Sequence, residues 1–157
     1  NEKVNSSNTL LHSELLEAMN MHDDWRDVHV SGGQSLHIAV MSEPFLSLVL
    51  GREKTVESRF SLHKIAPYQK VSAGDIVFMK AGPIIGCFRV TWVKFVELDE
   101  PTIEHIAKTY SEAICVDVAF WETKRDKRYG TLMGIGDVMK LSPVRVSKFD
   151  RRAWIRL

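Results

Sequence analysis

The chain has 157 residues, of which 45% are apolar and 26% charged, with a formal net charge of +1. That is the composition of an ordinary globular domain able to bury its own core, and it excludes a low-complexity or collagen-like chain. No apolar run approaches the ~20 residues that a membrane-spanning helix needs. Two cysteines, Cys87 and Cys115, lie in apolar surroundings without C-x-x-C spacing. They read as buried free thiols in a reducing, cytoplasmic setting rather than as a disulfide framework or metal site. The charge is unevenly divided. Residues 1–35 carry six acids against two bases, whereas ten bases face three acids from Lys124 onward. A basic C-terminal part suits a polyanionic partner, although solvated surface is the plainer reading.

In chain order, residues 1–8 are polar and expected to be loose. Leu11, Leu15, Leu16 and Met19 then recur at helical spacing and predict a short amphipathic helix over 9–21. Being acidic, it suits either docking across the basic domain or contact with a protein partner. Ser31-Gly32-Gly33-Gln34-Ser35 is a linker-like break. His12, His22 and His29 have no regular ligand spacing, so neither a metal nor another cofactor is expected. The chain opens on Asn1 rather than Met, which is compatible with a trimmed targeting segment.

Residues 36–41 predict a strand. A short helix follows, with Ser42 as cap, Pro44 in the first turn, a stripe of Phe45, Leu48 and Val49, and Gly51 as left-handed stop. The period then changes to two. Over 54–60, Val56 and Phe60 share one face, and Thr55, Glu57 and Arg59 the other. A carboxylate and a guanidinium side by side, with the Lys54 amine at the strand's start, suit either an exposed ion pair or a polar site beside the core. Residues 61–73 form a long loop holding Lys64, Tyr68 and Lys70, and long loops in compact domains are often functional.

Strands are expected over 76–80 and 85–98, the second with a bulge because its apolar set changes parity. Residues 101–114 are the clearest helix, through Ile103, Ile106, Ala107, Tyr110 and Ile114. A second helical piece over 116–124 carries Phe120 and Trp121 as core anchors. Lys124, Arg125, Lys127 and Arg128 make the densest basic run, and strands close the chain over 129–141 and 154–157. The Gly134-Ile135-Gly136 step lacks the third glycine and following helix of a dinucleotide fingerprint.

The stretch GREKTVESRF, residues 51–60, resembles the G-x-K-x-x-E-x-R signature of the ASCH family (activating signal cointegrator homology), with one extra residue between Gly51 and Lys54. The Pro44-Phe45 helix entry, the strand from Tyr129 and the Asp150-Arg151-Arg152-Ala153-Trp154 close resemble bacterial members as well. The resemblance implies an α+β fold: a small mixed PUA-like β-barrel flanked by helices over 36–157, after an N-terminal helical extension and linker over 1–35. It also implies binding of RNA, single-stranded where bases are read, or of a nucleotide. Lys54, Thr55, Glu57, Arg59, Lys64 and Tyr68 would then line the cleft, with Lys124, Arg125, Lys127 and Arg128 as phosphate-facing surface. A subgroup of the family removes the acyl group of N4-acetylcytidine, and other members act as ribonucleases. If the chain is an enzyme, Lys54 and Glu57 would be its catalytic residues, with Arg59 as a phosphate clamp in the ribonuclease case. The subgroup has threonine where this chain has Glu57, and neither Glu104 nor Glu112 aligns with its downstream carboxylate. An adjacent carboxylate favours a charged, ligand-holding Lys54. A protein-interaction adaptor working through the acidic N-terminal helix is the reading from a third class.

Overall fold

A computed structural model describes residues 2–20, 33–146 and 152–157, with side chains in the first helix from Leu10 onward. Helix α1 (Glu2–Asn20) is followed by β1 (Leu36–Val40), α2 (Phe45–Leu50), β2 (Val56–Ser61), β3 (Ile76–Lys80) and β4 (Ile84–Glu97). Helices α3 (Glu100–Ile114) and α4 (Val118–Glu122) precede β5 (Tyr129–Val144) and β6 (Trp154–Arg156). The strands form one mixed sheet in the order β2-β5-β4-β3-β1-β6. Only the β1–β3 pair is parallel within it.

Both faces of the central strands are covered, which is why Ile-Val-Phe-Met in β3 reads as an unbroken apolar run. Ile76 and Phe78 share one core layer with Leu36, Ile38 and Leu15 and Met19 of α1. Val77 and Met79 turn the other way, into a layer with Ala39, Phe88, Val90, Met133, Trp154 and Leu46 and Val49 of α2. A third layer sets Ile103, Ile106, Ile114 and Trp121 over Val56 and Leu132. Strand β4 shifts register at three places against β5, the expected bulging, and this bends the sheet into a half-barrel.

The barrel does not close through its backbone. Strands β2 and β6 are the two edges, and side chains span the seam between them. Arg59 Nη2 donates to Val40 O at 2.9 Å and to Met41 Sδ, while its guanidinium lies 5.3 Å from the Trp154 ring.

Several local expectations are corrected. Helix α1 begins at Glu2, so the polar 2–8 segment is helical; once the turns around Leu15 and Met19 pack, each further residue extends the helix at little cost. The Ser42 side chain makes no cap bond to α2; Glu43 instead accepts from the Ser47 N–H and hydroxyl. The buried face of α2 is Leu46 and Val49 rather than the Phe45-Leu48-Val49 stripe. Gly51 has φ −79°, and the left-handed residue is Arg52, with φ 63°. Phe60, on one face with the buried Val56, is itself only half-buried. Cys115 is half-buried, because it is the left-handed cap that ends α3. The Asp150-Arg151 part of the tail resemblance, with His22 and His29, lies outside the described residues.

Candidate functional site

The seam opens into a cavity of about 300 Å³. Its floor is built where α2 ends. Glu53 and Lys54 both donate their backbone N–H to Leu48 O, so the chain doubles back before β2 begins at Val56. Lys54 therefore escapes strand alternation. Its side chain swings in beside Glu57 instead of facing away from it. It is 2% exposed and donates from Nζ to Ile114 O at 2.8 Å, one of the unpaired carbonyls at the end of α3, where a cation is favoured. The ammonium also lies 5.1 Å from the Phe45 ring centroid.

Glu57 Oε1 accepts from the Ser58 N–H at 2.8 Å and stands 4.0 Å from Lys54 Nζ, while Oε2 stands 3.9 Å from Arg59 Nη2. The longer separations make electrostatic neighbours rather than hydrogen bonds. Glu57 Oε2 is buried and has no hydrogen-bond partner among the described residues, and the same holds for Thr131 Oγ1 on β5. Both residues line the cavity, and Thr131 sits opposite Arg59 in the β2–β5 ladder. The floor therefore offers a carboxylate oxygen, a hydroxyl and the remaining ammonium protons to whatever enters.

Aromatic rings form the walls: Phe45, Phe60, Tyr68, Phe120 and Trp154. Arg59 and Lys124 supply the positive charge at the opening. Burial lowers the pKa of Lys124, and the nearby Lys127 and Arg59 push it the same way. Burial also lowers the Lys54 pKa, and it outweighs the opposing Glu57 carboxylate. The carboxylate next to Lys54 thus acts in the expected direction, and burial, which residue spacing does not measure, acts against it.

Of the residues singled out from the sequence, Lys54, Glu57, Arg59, Tyr68 and Lys124 line one cavity. Thr55 does not; its side chain is exposed and its backbone bonds to Ala113 and Ile135. Lys64 lies outside the lining, 5.5 Å from the Tyr129 ring. Arg125 is engaged by Glu122 and Glu100, Lys127 is near Asp126, and Arg128 is exposed beside Ser61. Phe120, expected as a core anchor, is half-buried and serves as a wall. Thr131 and His37 went unrecognised. Each was detectable as a lone polar residue inside an apolar strand run. No cluster of histidine, cysteine and carboxylate residues fit for a metal ion occurs among the described residues.

The curled mixed sheet and its flanking helices form a half-barrel that shares the ASCH fold. The ASCH protein of Zymomonas mobilis has a crystal structure that superposes with a TM-score of 0.63 at 11% identity, covering 78% of this chain and 87% of that one. Two point mutants of that protein superpose at 0.63 and 0.61, each at 12% identity over 78% of this chain and 87% and 89% of theirs. At this identity the likeness establishes the fold. No family profile matches the sequence, and no curated protein matches it.

Proposed function

We propose that the seam cavity binds an unpaired base of single-stranded RNA, or a free nucleotide. The observation that carries this reading is the pair of buried, unpartnered oxygens, Glu57 Oε2 and Thr131 Oγ1, at the floor of an aromatic-walled cavity. An unpaired buried polar group costs about 1–3 kcal/mol, and a ligand that supplies its partner removes that cost. Every base presents N–H donors beside acceptors, which matches a carboxylate next to an ammonium. Its faces suit the aromatic walls. Arg59 and Lys124 at the opening then meet phosphate. Likeness to the Zymomonas ASCH protein supports this reading through the fold alone.

We expect Lys54→Ala to weaken binding of short single-stranded RNAs at least tenfold, the loss of a charge-assisted hydrogen bond. Duplex RNA of the same sequence should bind less well than single strands, in filter-binding or anisotropy titrations. Equal affinity of wild type and Lys54→Ala for all these probes overturns the reading.

Hydrolysis at the same site is the second reading, favoured by the burial that lowers the Lys54 pKa and so brings the amine closer to acting as base or nucleophile. Assays of wild type, Lys54→Ala and Glu57→Thr on N4-acetylcytidine and on short single-stranded RNAs separate the two. The binding reading expects no release of acetate and no cleavage by wild type; turnover by wild type that vanishes in Lys54→Ala selects the enzyme. The adaptor reading rests on the outer face of α1, where Glu14 and Glu17 are exposed. A protein contact abolished by reversing those two charges, in a chain that ignores nucleic acid at low salt, selects it. We propose a cytoplasmic location on the two free cysteines, Cys87 and Cys115. No helix of the described residues is long and apolar enough to cross a membrane.

A further inference from the structure

The seam wall is held from behind by a buried histidine. His37, the second residue of β1, is fully buried. Its Nε2 lies 2.8 Å from Asp75 Oδ2, and its Nδ1 lies 3.1 Å from Trp154 Nε1. An indole nitrogen only donates, so the Trp154 bond requires a bare Nδ1 and leaves the imidazole proton on Nε2, aimed at the carboxylate. Asp75 is itself fixed, accepting from the Ser35 N–H and the Ser72 N–H at 3.0 Å each. On the far side, Trp154 lines the cavity and carries the Arg59 guanidinium against its ring. The line Asp75–His37–Trp154–Arg59 thus crosses the sheet from the start of β3, through β1 and β6, to β2 at the opposite edge.

We propose that His37 is a positioning residue of the cleft: as the neutral Nε2–H tautomer it holds Trp154, and with it Arg59, in place across the seam, and protonation at Nδ1 releases that wall. A proton on Nδ1 would set two N–H donors against each other and break the Trp154 bond. The charged groups acting on the ring are Asp75, which favours the protonated form, and Arg156 on β6, which opposes it. Burial, with Arg156 acting in the same direction, outweighs Asp75 and lowers the His37 pKa beneath the ordinary 6.5, so the wall is held at neutral pH and released on the acid side. This goes beyond the proposed binding function but rests on it wherever affinity is the readout. The hydrogen-bond readouts stand without it.

The test uses the full ¹⁵N-labelled chain. Long-range ¹H–¹⁵N spectra should show His37 as the Nε2–H tautomer at pH 7.5. The Trp154 indole N–H resonance, assigned by its absence in Trp154→Phe, and the Arg59 Nε–H resonance should shift together on acidification, with one midpoint below pH 6.5. His37→Asn, which keeps an acceptor near the Nδ1 position, should abolish that midpoint while keeping the indole bond. His37→Leu should lose the bond and weaken binding of a short single-stranded RNA about fivefold to tenfold at pH 7.5, the loss of one buried hydrogen bond. In wild type, affinity should fall with the same midpoint as the indole signal, and in His37→Asn that fall should be absent. A protonated Nδ1 at pH 7.5, an indole resonance indifferent to pH, or an affinity that ignores the indole transition overturns the proposal. If the RNA binds at no pH, the functional reading fails, and the tautomer with the coupled indole and Arg59 shifts still decides this one. If His37→Leu does not fold, the wild-type titration decides it.

Discussion

The cleft floor keeps two buried oxygens without partners among the described residues, and at Thr131 the consequence can be tested with one nearly isosteric change. Thr131→Val removes an unsatisfied hydroxyl and keeps the shape, so thermal or urea unfolding should show unchanged stability or a gain of up to about 1 kcal/mol. The same variant should bind single-stranded RNA more weakly. A loss of stability would mean that Thr131 Oγ1 has a partner in solution. His37 gives a prediction of the opposite kind. Its pKa is lower in the native state than the unfolded 6.5, so the unfolded chain takes up the proton first as the pH falls. The stability it contributes is therefore complete above about pH 6.5 and declines below that towards the native pKa. Urea midpoints measured across this range should flatten in His37→Asn. Neither residue announced its role in the sequence, because a lone polar residue in an apolar strand looks the same whether its partner is a neighbour, a ligand or nothing.

At the level of elements, the long β4–β5 pair depends on a glycine. A Cβ on Gly134 would lie 2.3 Å from Thr91 Oγ1 and Trp92 Nε1, closer than side chains tolerate. Gly134→Ala should cost about 1–3 kcal/mol by forced repacking, read as a lower unfolding midpoint. The same substitution at Gly33, which meets nothing within 4 Å, is the control. Strands and helices were mostly legible, and for a local reason. Residues 76–80 match β3 end for end, the parity change in β4 marks real register shifts, and the Ile spacing of α3 is the face it buries. Errors fell where tertiary contact overrides local preference. The start of α1 follows from packing at Leu15 and Met19, and Lys54 faces inward because a turn, not a strand, carries it. Lys54, Glu57 and Arg59 of the motif lie together in the cavity. Its walls come from α2, α4 and β6, which no local pattern joins.

Across the whole molecule, the basic C-terminal excess divides once the fold is known. Lys124 reaches the cavity mouth, whereas Arg125 is engaged by Glu100 and Glu122. If RNA phosphate meets this surface, Lys124→Gln should lower the slope of log affinity against log salt by about 0.7 for each phosphate no longer neutralised, and Arg125→Gln should leave it unchanged. Equal effects of the two would mean that Arg125 exchanges its carboxylates for phosphate. The seam has a consequence for the order in which parts of the molecule come loose. Strand β6 is three residues long and, among the described residues, pairs only with β1, and the Trp154–His37 bond joins positions 117 residues apart in the chain. Short edge segments held by distant contacts open first in native-state fluctuations. The cavity wall at Trp154 therefore rests on the least cooperative part of the sheet, and the amide hydrogens of Trp154, Ile155 and Arg156 should exchange with deuterium sooner than those of β3 and β4. An occupant of the cleft would lend β6 protection it lacks alone, so slowed exchange confined to this strand would register binding of even a weak ligand.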